Sequence, residues 1–306
     1  REAIRAGVRH IVVDSFDVLD RLDALAAEAV GPKPQIVLRI TPGVHAHTHE
    51  FIATGQDDSK FGFNLANGDA LRAVDRARRS SSVELVGVHC HIGSNVFEAS
   101  SFARAAEVMA DFAVPLDLPE LVLAGGLGVA YVEGEEAPTI SQWGSVLLDA
   151  CQALGVRSNV SVEPGRAIVA AAAVTVYTVG TETHIPGVRT YVSVDGGTSD
   201  NPRPVLYGSG YESFLPRAVG APRPFTARLV GKHCESGDVL AFAAQLPDVV
   251  RVGDLLAMPV TGAYGHSMGS NYNKITRPPV VFAADGEARL VVRRETYDDL
   301  LATDVG

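Results

Sequence analysis

The sequence has little of what membrane, secreted and nucleic-acid-binding proteins depend on. Its three cysteines, Cys90, Cys151 and Cys234, are far apart and form no C-x-x-C pair, which argues against a disulfide framework and a structural zinc site. Acidic residues outnumber basic ones by 36 to 26, and the net charge of -10 offers no basic surface for nucleic acid or an anionic membrane. The most apolar stretch, AIVAAAAVTVYTVG from Ala167, is shorter than the ~20 residues that span a bilayer, and no signal peptide is visible. We therefore expect a cytoplasmic protein that binds a small soluble ligand.

Two patterns of apolar residues divide the chain into an α/β part and an all-β part. With 46% hydrophobic and 20% charged residues, the composition is that of a globular protein. Through residue 168, predicted helices alternate with short runs that are apolar on both faces, which indicates a parallel sheet covered by helices. After Ala170 the helical periodicity stops, and short strands between turn signals predict a β-sandwich or β-barrel over residues 169–306.

The α/β part resembles an incomplete (β/α)8 barrel. The predicted helices cover residues 16–27, 70–78, 101–113 and 141–154, after a first helix that ends at a Gly7 C-cap, and the five predicted strands begin at His10, Gln35, Glu84, Glu120 and Asn159. A closed eight-stranded barrel takes about 250 residues, and residues 1–168 are too few for it. We therefore expect a partial barrel, with about five of the eight strands, whose remaining strands precede Arg1.

Three of the predicted strands end in residues that can carry chemistry. The carboxyl ends of barrel strands are where the working groups of this architecture lie. The three motifs are HCHIGSN with His89 and His91, AGGLG with Gly125 and Gly126, and EPGR with Glu163 and Arg166. Together they offer backbone N–H groups for a phosphate, a flat ring for stacking and a carboxylate for a protonated pyridine nitrogen. Pyridoxal phosphate requires this combination.

Each of these motifs also has a purely structural interpretation. The two histidines could be buried structural residues or a metal pair, although no third ligand cluster accompanies them and we expect no metal. A glycine turn after a strand is common, and Glu163 with Arg166 could form a surface ion pair. The adjacent Cys234 and Glu235, in the glycine-flanked segment GKHCESGD, could form a simple turn.

Five segments in this order resemble the diaminopimelate decarboxylases, the alanine-racemase-like, barrel-type pyridoxal-phosphate enzymes of lysine synthesis. They are HCHIGSN, EPGRAIVA, VDGGTSDNPRPVLYG, GKHCESGD and TGAYGHSMGSNYN, and the resemblance covers essentially the whole chain. It implies a barrel followed by a β domain, pyridoxal 5'-phosphate as cofactor, and decarboxylation of meso-2,6-diaminopimelate to L-lysine and CO2, the last step of lysine biosynthesis. It also implies a head-to-tail homodimer with two shared active sites.

The resemblance assigns cofactor-binding roles to residues of the first domain. His91 would stack on the cofactor ring, Ser94 would lie near its phosphate, and Glu163 would pair with its pyridine nitrogen. Arg39, in VLRI, matches a family position near the cofactor hydroxyl. The phosphate would be held by two glycines and a second short backbone stretch, namely Gly125, Gly126, Gly165 and Arg166.

The resemblance also implies that the second domain binds substrate and completes the partner's site. Arg203 and Tyr207 would hold the distal end of the substrate with help from Arg166. A positioned thiol is a competent acid when its pKa is suitable. The residues assigned to the reacting end and to closure of the site are the partner-derived proton donor Cys234, the ammonium contact Glu235, and Tyr264 near phosphate and substrate.

The sequence departs from the family pattern in two places. The lysine that the family uses to bind the cofactor covalently lies on the first barrel strand, and the four lysines here, Lys33, Lys60, Lys232 and Lys274, are poor substitutes for it. We therefore expect that the printed chain alone does not form the covalent link and is inactive. Val122 and Ala124 stand where the family commonly has an aspartate and a glycine, which could alter cofactor affinity.

Two other functions compete with diaminopimelate decarboxylation. One is decarboxylation of ornithine, lysine or arginine, and the other is a non-catalytic homologue that lacks the covalent lysine. Arg203 and Arg166 favour a substrate with a distal carboxylate, because a guanidinium binds a carboxylate with two hydrogen bonds and repels an ammonium.

Overall fold

The chain forms two units, each built on its own β-sheet. The computed structural model describes residues 1–44, 54–247 and 249–306. Arg1–Val129 and Glu136–Ile168 form the first unit, and Ala130–Glu135 and Val169–Gly306 form the second. The short segment Ala130–Glu135 thus belongs to the second unit, whereas the predicted boundary at residue 168 placed it in the first.

The first unit is a parallel sheet with helices between its strands. The strands are β1 (Ile11–Val13), β2 (Gln35–Thr41), β3 (Phe63–Asn64), β4 (Glu84–His89), β5 (Glu120–Val122) and β6 (Asn159–Ser161). The helices are α1 (Glu2–Ala6), α2 (Phe16–Ala27), α3 (Asp69–Arg78), α4 (Ala99–Ala113), α5 (Ile140–Ala153) and α6 (Arg166–Val169). Five strands pair in the order β1-β2-β4-β5-β6, and β3 pairs with β2. All five predicted strands are confirmed; β3 was not predicted, because a two-residue strand leaves no periodic pattern.

Local sequence signals fix the ends of several helices. Gly7 ends α1 with a φ of 63°, in the left-handed region that glycine tolerates, as predicted. The Ser15 hydroxyl accepts a hydrogen bond from the Val18 N–H at the start of α2. At α5, Thr139 and Gln142 form a reciprocal capping box. Gly7 therefore sets where α1 ends, and Ser15 and Thr139 set where α2 and α5 begin.

The apolar core of the first unit lies between the sheet and its helices. The sheet contributes Leu38, Val88 and Leu121, all fully buried. On the helix side, Phe102 of α4 and Trp143 of α5 pack edge to face, with ring centroids 5.7 Å apart. This core holds the strands in register, so that the carboxyl ends of β4, β5 and β6 lie side by side.

The second unit is predominantly β-structure, as the sequence predicted. Its strands are β7 (Val174–Ile185), β8 (Arg189–Val194), β9 (Phe225–Val230), β10 (Val239–Leu246), β11 (Leu255–Pro259), β12 (Val280–Ala284) and β13 (Glu287–Val292). One sheet has the order β10-β9-β8-β7-β11, with β8 and β9 parallel and the other pairs antiparallel, and β12 and β13 form a separate antiparallel pair. The unit also has two short helices, α7 (Arg203–Tyr207) and α8 (Tyr297–Leu301).

Two features of the second unit differ from the sequence prediction. β10 is a strand although its sequence, VLAFAAQL, is rich in alanine, which favours helix over strand. The helices α7 and α8 interrupt a region predicted to be free of helical structure. In the described part of the chain, every helix is too short or too polar to cross a lipid bilayer.

Candidate cofactor and substrate site

The loops that follow β4, β5 and β6 are joined by backbone hydrogen bonds beyond the ends of the strands. Cys90 N–H donates to the Val122 carbonyl at 2.9 Å, and Leu123 N–H donates to the Ser161 carbonyl at 2.9 Å. Glu163 N–H then donates to the Ala124 carbonyl at 2.8 Å. The strands themselves stop at His89, Val122 and Ser161, before most of the predicted motif residues. The motifs therefore lie on loops that the sheet brings together.

The glycine turn after β5 packs against its neighbours so closely that no side chain fits. A Cβ on Gly125 would collide with the Glu163 carbonyl oxygen, and a Cβ on Gly126 would collide with the Gly93 carbonyl oxygen. Gly126 also has a φ of 105°, which other residues rarely adopt. The turn needs both glycines, and it presents a narrow backbone surface of the kind that binds a phosphate.

His91 lies beside this glycine turn as a neutral ring. The Cβ position of Gly126 is 3.6 Å from Cε1 of His91. Burial, together with the nearby charge of Arg39, lowers the pKa of His91 to about 4, although the charge of Glu163 opposes this shift. His91 lies two residues beyond the end of β4, on the loop that follows the strand. A neutral imidazole is a flat surface suited to stacking on an aromatic ring.

Glu163 supplies a partly exposed carboxylate next to this ring. Its side chain is 54% exposed, and its Oε2 lies 3.3 Å from Nε2 of the buried His89. The hydrogen bond from His89 lowers the pKa of Glu163, and the nearby charge of Arg39 lowers it too, although burial opposes them. Glu163 is therefore ionised at neutral pH, as a partner for a protonated ring nitrogen must be.

Arg39 brings a cation to the same group of residues. It lies on β2, opposite His89 in the strand register, and its guanidinium lies over the Phe61 ring, 4.7 Å from the centroid. Burial lowers the pKa of Arg39, whereas the charges of Asp14 and Glu163 raise it. We refer to Arg39, His89, His91, Gly126 and Glu163 as the strand-end cluster.

Arg166 and Ser94 form a second polar pair in the first unit. Arg166 is the first residue of α6, is only 5% exposed, and donates from Nη2 to Oγ of Ser94 at 3.1 Å. The Gly165 carbonyl accepts from Ile168 N–H at 3.1 Å, which closes the turn before α6. Residues after β4 and after β6, both predicted to lie near the phosphate, are thus in direct contact.

In the second unit, Arg203 is buried among aromatic rings. It begins α7 and is 3% exposed. Its guanidinium lies 5.3 Å from the Tyr131 ring centroid and 5.4 Å from that of Tyr207. Its Nε donates to Tyr211 Oη at 3.0 Å and its Nη2 donates to Ser209 Oγ at 3.2 Å. Arg203 and Tyr207, predicted to act together, are in contact.

The Cys234–Glu235 loop is built around a buried carboxylate. Asp238 is 3% exposed and accepts from the backbone N–H groups of His233 at 2.8 Å and Thr198 at 2.7 Å. Cys234 and Glu235, in contrast, are exposed. The loop is therefore a turn, held by hydrogen bonds to Asp238, that leaves a thiol and a carboxylate exposed.

A neighbouring turn contacts both exposed side chains. The hydroxyl of Tyr272 donates to the Glu235 carboxylate, which raises the pKa of Tyr272. Nδ2 of Asn273 lies 3.9 Å from Sγ of Cys234. Both contacting residues come from the SNYN end of the last motif. Tyr264, from the same motif, is 46% exposed and has a φ of 55°, in the left-handed region that is costly for a non-glycine residue.

Sequence reasoning found most of these residues but not all of them. His89 was singled out without a role, and Tyr272 lay inside a quoted motif without one. Phe61, Tyr131 and Tyr211 were not predicted, because no local motif marks their contacts with Arg39 and Arg203. A signal existed only for Phe61, which lies directly after Lys60 in the segment SKFGF.

The residues of the first unit fit pyridoxal phosphate. The ionised Glu163 suits the pyridine nitrogen, the neutral His91 suits the ring, and the side-chain-free turn at Gly125 and Gly126 suits the phosphate. These three features are held together by the backbone hydrogen bonds between the loops.

Comparison with known proteins leads to the same cofactor and to a family. Residues 1–170 match the pyridoxal binding domain of the pyridoxal-dependent decarboxylases. The chain is 44% identical to a Bacillus subtilis diaminopimelate decarboxylase over 320 residues, covering 100% of this chain and 72% of that protein. It is 47% identical to a diaminopimelate decarboxylase from Actinosynnema pretiosum, and the match covers 100% of this chain and 70% of that protein. A crystal structure of the M. jannaschii diaminopimelate decarboxylase with L-lysine matches with a TM-score of 0.90 and 33% identity, covering 100% of this chain and 71% of that one. The chain therefore belongs to the pyridoxal-dependent decarboxylases and, within them, to the diaminopimelate decarboxylases.

Proposed function

We propose that the protein containing these residues catalyses the pyridoxal-phosphate-dependent decarboxylation of meso-2,6-diaminopimelate to L-lysine and CO2. The observation that carries the proposal is the ionised Glu163 carboxylate beside the neutral His91 ring and the glycine turn. The relatives that match the whole chain are named diaminopimelate decarboxylases, and L-lysine is bound in the M. jannaschii structure. L-Lysine is the product that this reaction forms.

In this proposal the first unit holds the cofactor through residues of the strand-end cluster and its surroundings. Glu163 would accept a hydrogen bond from the ring nitrogen, His91 would stack on the ring, and Arg39 would lie near the ring hydroxyl. The turns that carry Ser94, Gly125, Gly126, Gly165 and Arg166 would bind the phosphate. The bound cofactor would supply an electron sink for the pair that the departing CO2 leaves on the α-carbon.

The second unit supplies the proton and the contacts that select the substrate. Cys234, which is exposed, donates a proton to the α-carbon after CO2 has left. Glu235, held by the Tyr272 hydroxyl, binds the distal ammonium group. Arg203 and Tyr207 bind the distal carboxylate, Arg166 assists them, and Tyr264 closes the site. A buried guanidinium among aromatic rings keeps its charge in a fixed position, which favours a substrate with two carboxylates over a simple diamine acid.

We further propose that the active protein is a cytoplasmic head-to-tail homodimer with two shared active sites. Cys234 and Glu235 are exposed on a turn held by hydrogen bonds to Asp238, so they are available to a second subunit. The cysteines of the chain are all free thiols, which agrees with a reducing compartment.

The function is tested by measuring CO2 release from meso-diaminopimelate by the complete gene product that contains these residues, with added pyridoxal phosphate. We expect release of one CO2 per L-lysine formed, and little or none from L-lysine, L-ornithine or L-arginine. Glu163→Gln should abolish most of the activity, whereas Glu107→Gln, in an exposed ion pair on α4, should not. Cofactor binding without CO2 release from any of the four amino acids would instead support a non-catalytic homologue.

A further inference from the structure

His89 is a buried titratable residue that the proposed reaction does not use. It is the last residue of β4, lies opposite Arg39 of β2 on one side and Val122 of β5 on the other, and is 5% exposed. It precedes His91 by two residues, but the resemblance assigns it no role. Its position places the residue at the carboxyl end of the middle strand of the parallel sheet, within the strand-end cluster.

The imidazole of His89 contacts the carboxylate of Glu163 across an intervening strand. Nε2 of His89 is 3.3 Å from Oε2 of Glu163, although β5 lies between β4 and β6 in the sheet. The backbone of Glu163 is fixed independently, because its N–H donates to the Ala124 carbonyl at 2.8 Å. The backbone hydrogen bond fixes the position of the Glu163 main chain, and the contact with His89 fixes the direction of its side chain.

The surroundings of His89 determine which ring nitrogen carries the proton. Nδ1 is buried and has no hydrogen-bond partner among the described residues. An unpaired N–H group buried at Nδ1 would be more costly than an unpaired lone pair on an aromatic nitrogen. Whenever the ring carries a single proton, that proton therefore lies on Nε2, where it can be donated to the ionised Glu163.

The contact leaves one oxygen of Glu163 available. His89 takes Oε2, and no hydrogen bond to Oε1 is found within residues 1–44, 54–247 and 249–306. A carboxylate that is free to rotate would present either oxygen, or neither, in the correct direction. A carboxylate held at one oxygen presents the other in a fixed direction.

We propose that His89 is a positioning residue, which donates a hydrogen bond from Nε2 to Oε2 of Glu163 and thereby orients Oε1 to accept from the cofactor's ring nitrogen. The inference rests on the proposed role of Glu163. His89 touches neither substrate nor cofactor in this scheme and acts only through Glu163.

The test uses the complete gene product and the binding of pyridoxine 5'-phosphate, which has the ring nitrogen and the phosphate but no aldehyde. His89→Asn, whose shorter amide does not reach Glu163, should weaken binding by about tenfold, the scale of a hydrogen bond to a charged group. His89→Gln places an amide N–H near the original Nε2 and should bind within about threefold of the wild type. His184→Asn, at an exposed histidine of the second unit that contacts Thr190, is the matched control and should change nothing.

A double-substitution cycle and a pH series separate positioning from a merely structural effect. If His89 acts through Glu163, then His89→Asn should cause no further loss in a Glu163→Gln background. As the pH falls, binding of the probe should be lost at a higher pH in His89→Asn than in the wild type. In that variant Glu163 lacks the donor that favours its ionised form, whereas Arg39 and His91 still face it.

The outcomes distinguish the inference from the proposed function beneath it. If Glu163→Gln weakens probe binding and His89→Asn does not, the inference is wrong and the role of Glu163 stands. If Glu163→Gln itself leaves probe binding unchanged, the proposed role of Glu163 fails, and the role of His89 fails with it. Equal losses from His89→Asn in both backgrounds would also overturn the inference, since they would show an effect independent of Glu163.

Discussion

At the scale of single residues, burial separates one cysteine from the other two. Cys90 and Cys151 are each 3% exposed, and burial raises the pKa of Cys90 to about 12, so that its thiol is inert. Cys234 is exposed and lies on the turn that also carries Glu235. Of the three thiols, only Cys234 is available to act as an acid.

Replacing Cys234 with alanine should slow turnover by about 100-fold, the usual scale for loss of a general acid. Cofactor content, measured by absorbance after denaturation, should not change, because Cys234 does not belong to the strand-end cluster. Cys151→Ala, on the buried face of α5, is a control that removes a thiol without touching the proposed site. Full activity of Cys234→Ala would exclude it as the proton donor.

Replacing Arg203 with lysine should raise KM for meso-diaminopimelate by about tenfold with a smaller effect on kcat, because lysine keeps the charge but loses the planar fork that grips a carboxylate. Lysine is preferable to alanine here, since Arg203 is buried and hydrogen-bonded to Tyr211 and Ser209. Arg217→Lys, in an exposed ion pair with Asp254, serves as the control in steady-state kinetics. An unchanged KM would remove Arg203 from the substrate site.

The strand-end cluster should make the protein less stable in acid. The pKa of His91 is about 4 when folded and 6.5 when unfolded, so the unfolded chain binds a proton first as pH falls, and stability declines between those values. The lowered pKa of Glu163 acts in the same direction below its ordinary value of 4.5. One pKa unit corresponds to ~1.4 kcal/mol, so His91 contributes a few kcal/mol at most. The free energy of unfolding, measured with urea, should decrease less between pH 7 and pH 4.5 in His91→Asn than in the wild type. An equal decrease in the two proteins would contradict the role given to His91.

Residues with a chemical motif could be predicted from the sequence, and residues that support them could not. His91 and Glu163 stood at recognisable strand ends, and the structure places them in one cluster. The contacts of Phe61 with Arg39 and of Tyr272 with Glu235 join residues 22 and 37 positions apart. Such contacts depend on strand register and loop shape, which a single sequence does not specify.

At the scale of elements, capping predicts helix stability as well as helix position. The start of α5 was predicted to within one residue, and the structure explains it by the capping box between Thr139 and Gln142. The centres of β2, β4 and β5 were predictable because they are apolar and buried. Their ends were not, because Leu123, Ala124 and Val162 continue the apolar run after pairing into strands has stopped.

Replacing Thr139 with alanine should lower the free energy of unfolding by about 1 kcal/mol, because it removes the oxygen that accepts the hydrogen bond from the N–H of Gln142. Thr139→Ser keeps that oxygen and should cost much less. The measurement is urea unfolding followed by circular dichroism. Equal stabilities for the alanine and serine variants would show that the cap does not contribute.

At the scale of the whole molecule, the proposed sharing of active sites can be tested by mixing two inactive proteins. Subunits with Cys234→Ala and subunits with Glu163→Gln are defective in different units. If each site combines the first unit of one subunit with the second unit of its partner, a mixed dimer contains one intact site. An equal mixture of freely exchanging subunits should then recover about a quarter of wild-type activity. Exchange verified by tagged subunits, without recovery, would contradict shared sites.

The close packing at Gly125 and Gly126 has a consequence for laboratory evolution of this enzyme. At these two positions every substitution adds a Cβ atom that would collide with a neighbouring carbonyl oxygen. A mutant library therefore contains no tolerated alternative at either glycine. Selections for new amino-acid substrates should consequently accumulate changes around Arg203 and Glu235, while the two glycine codons remain as they began.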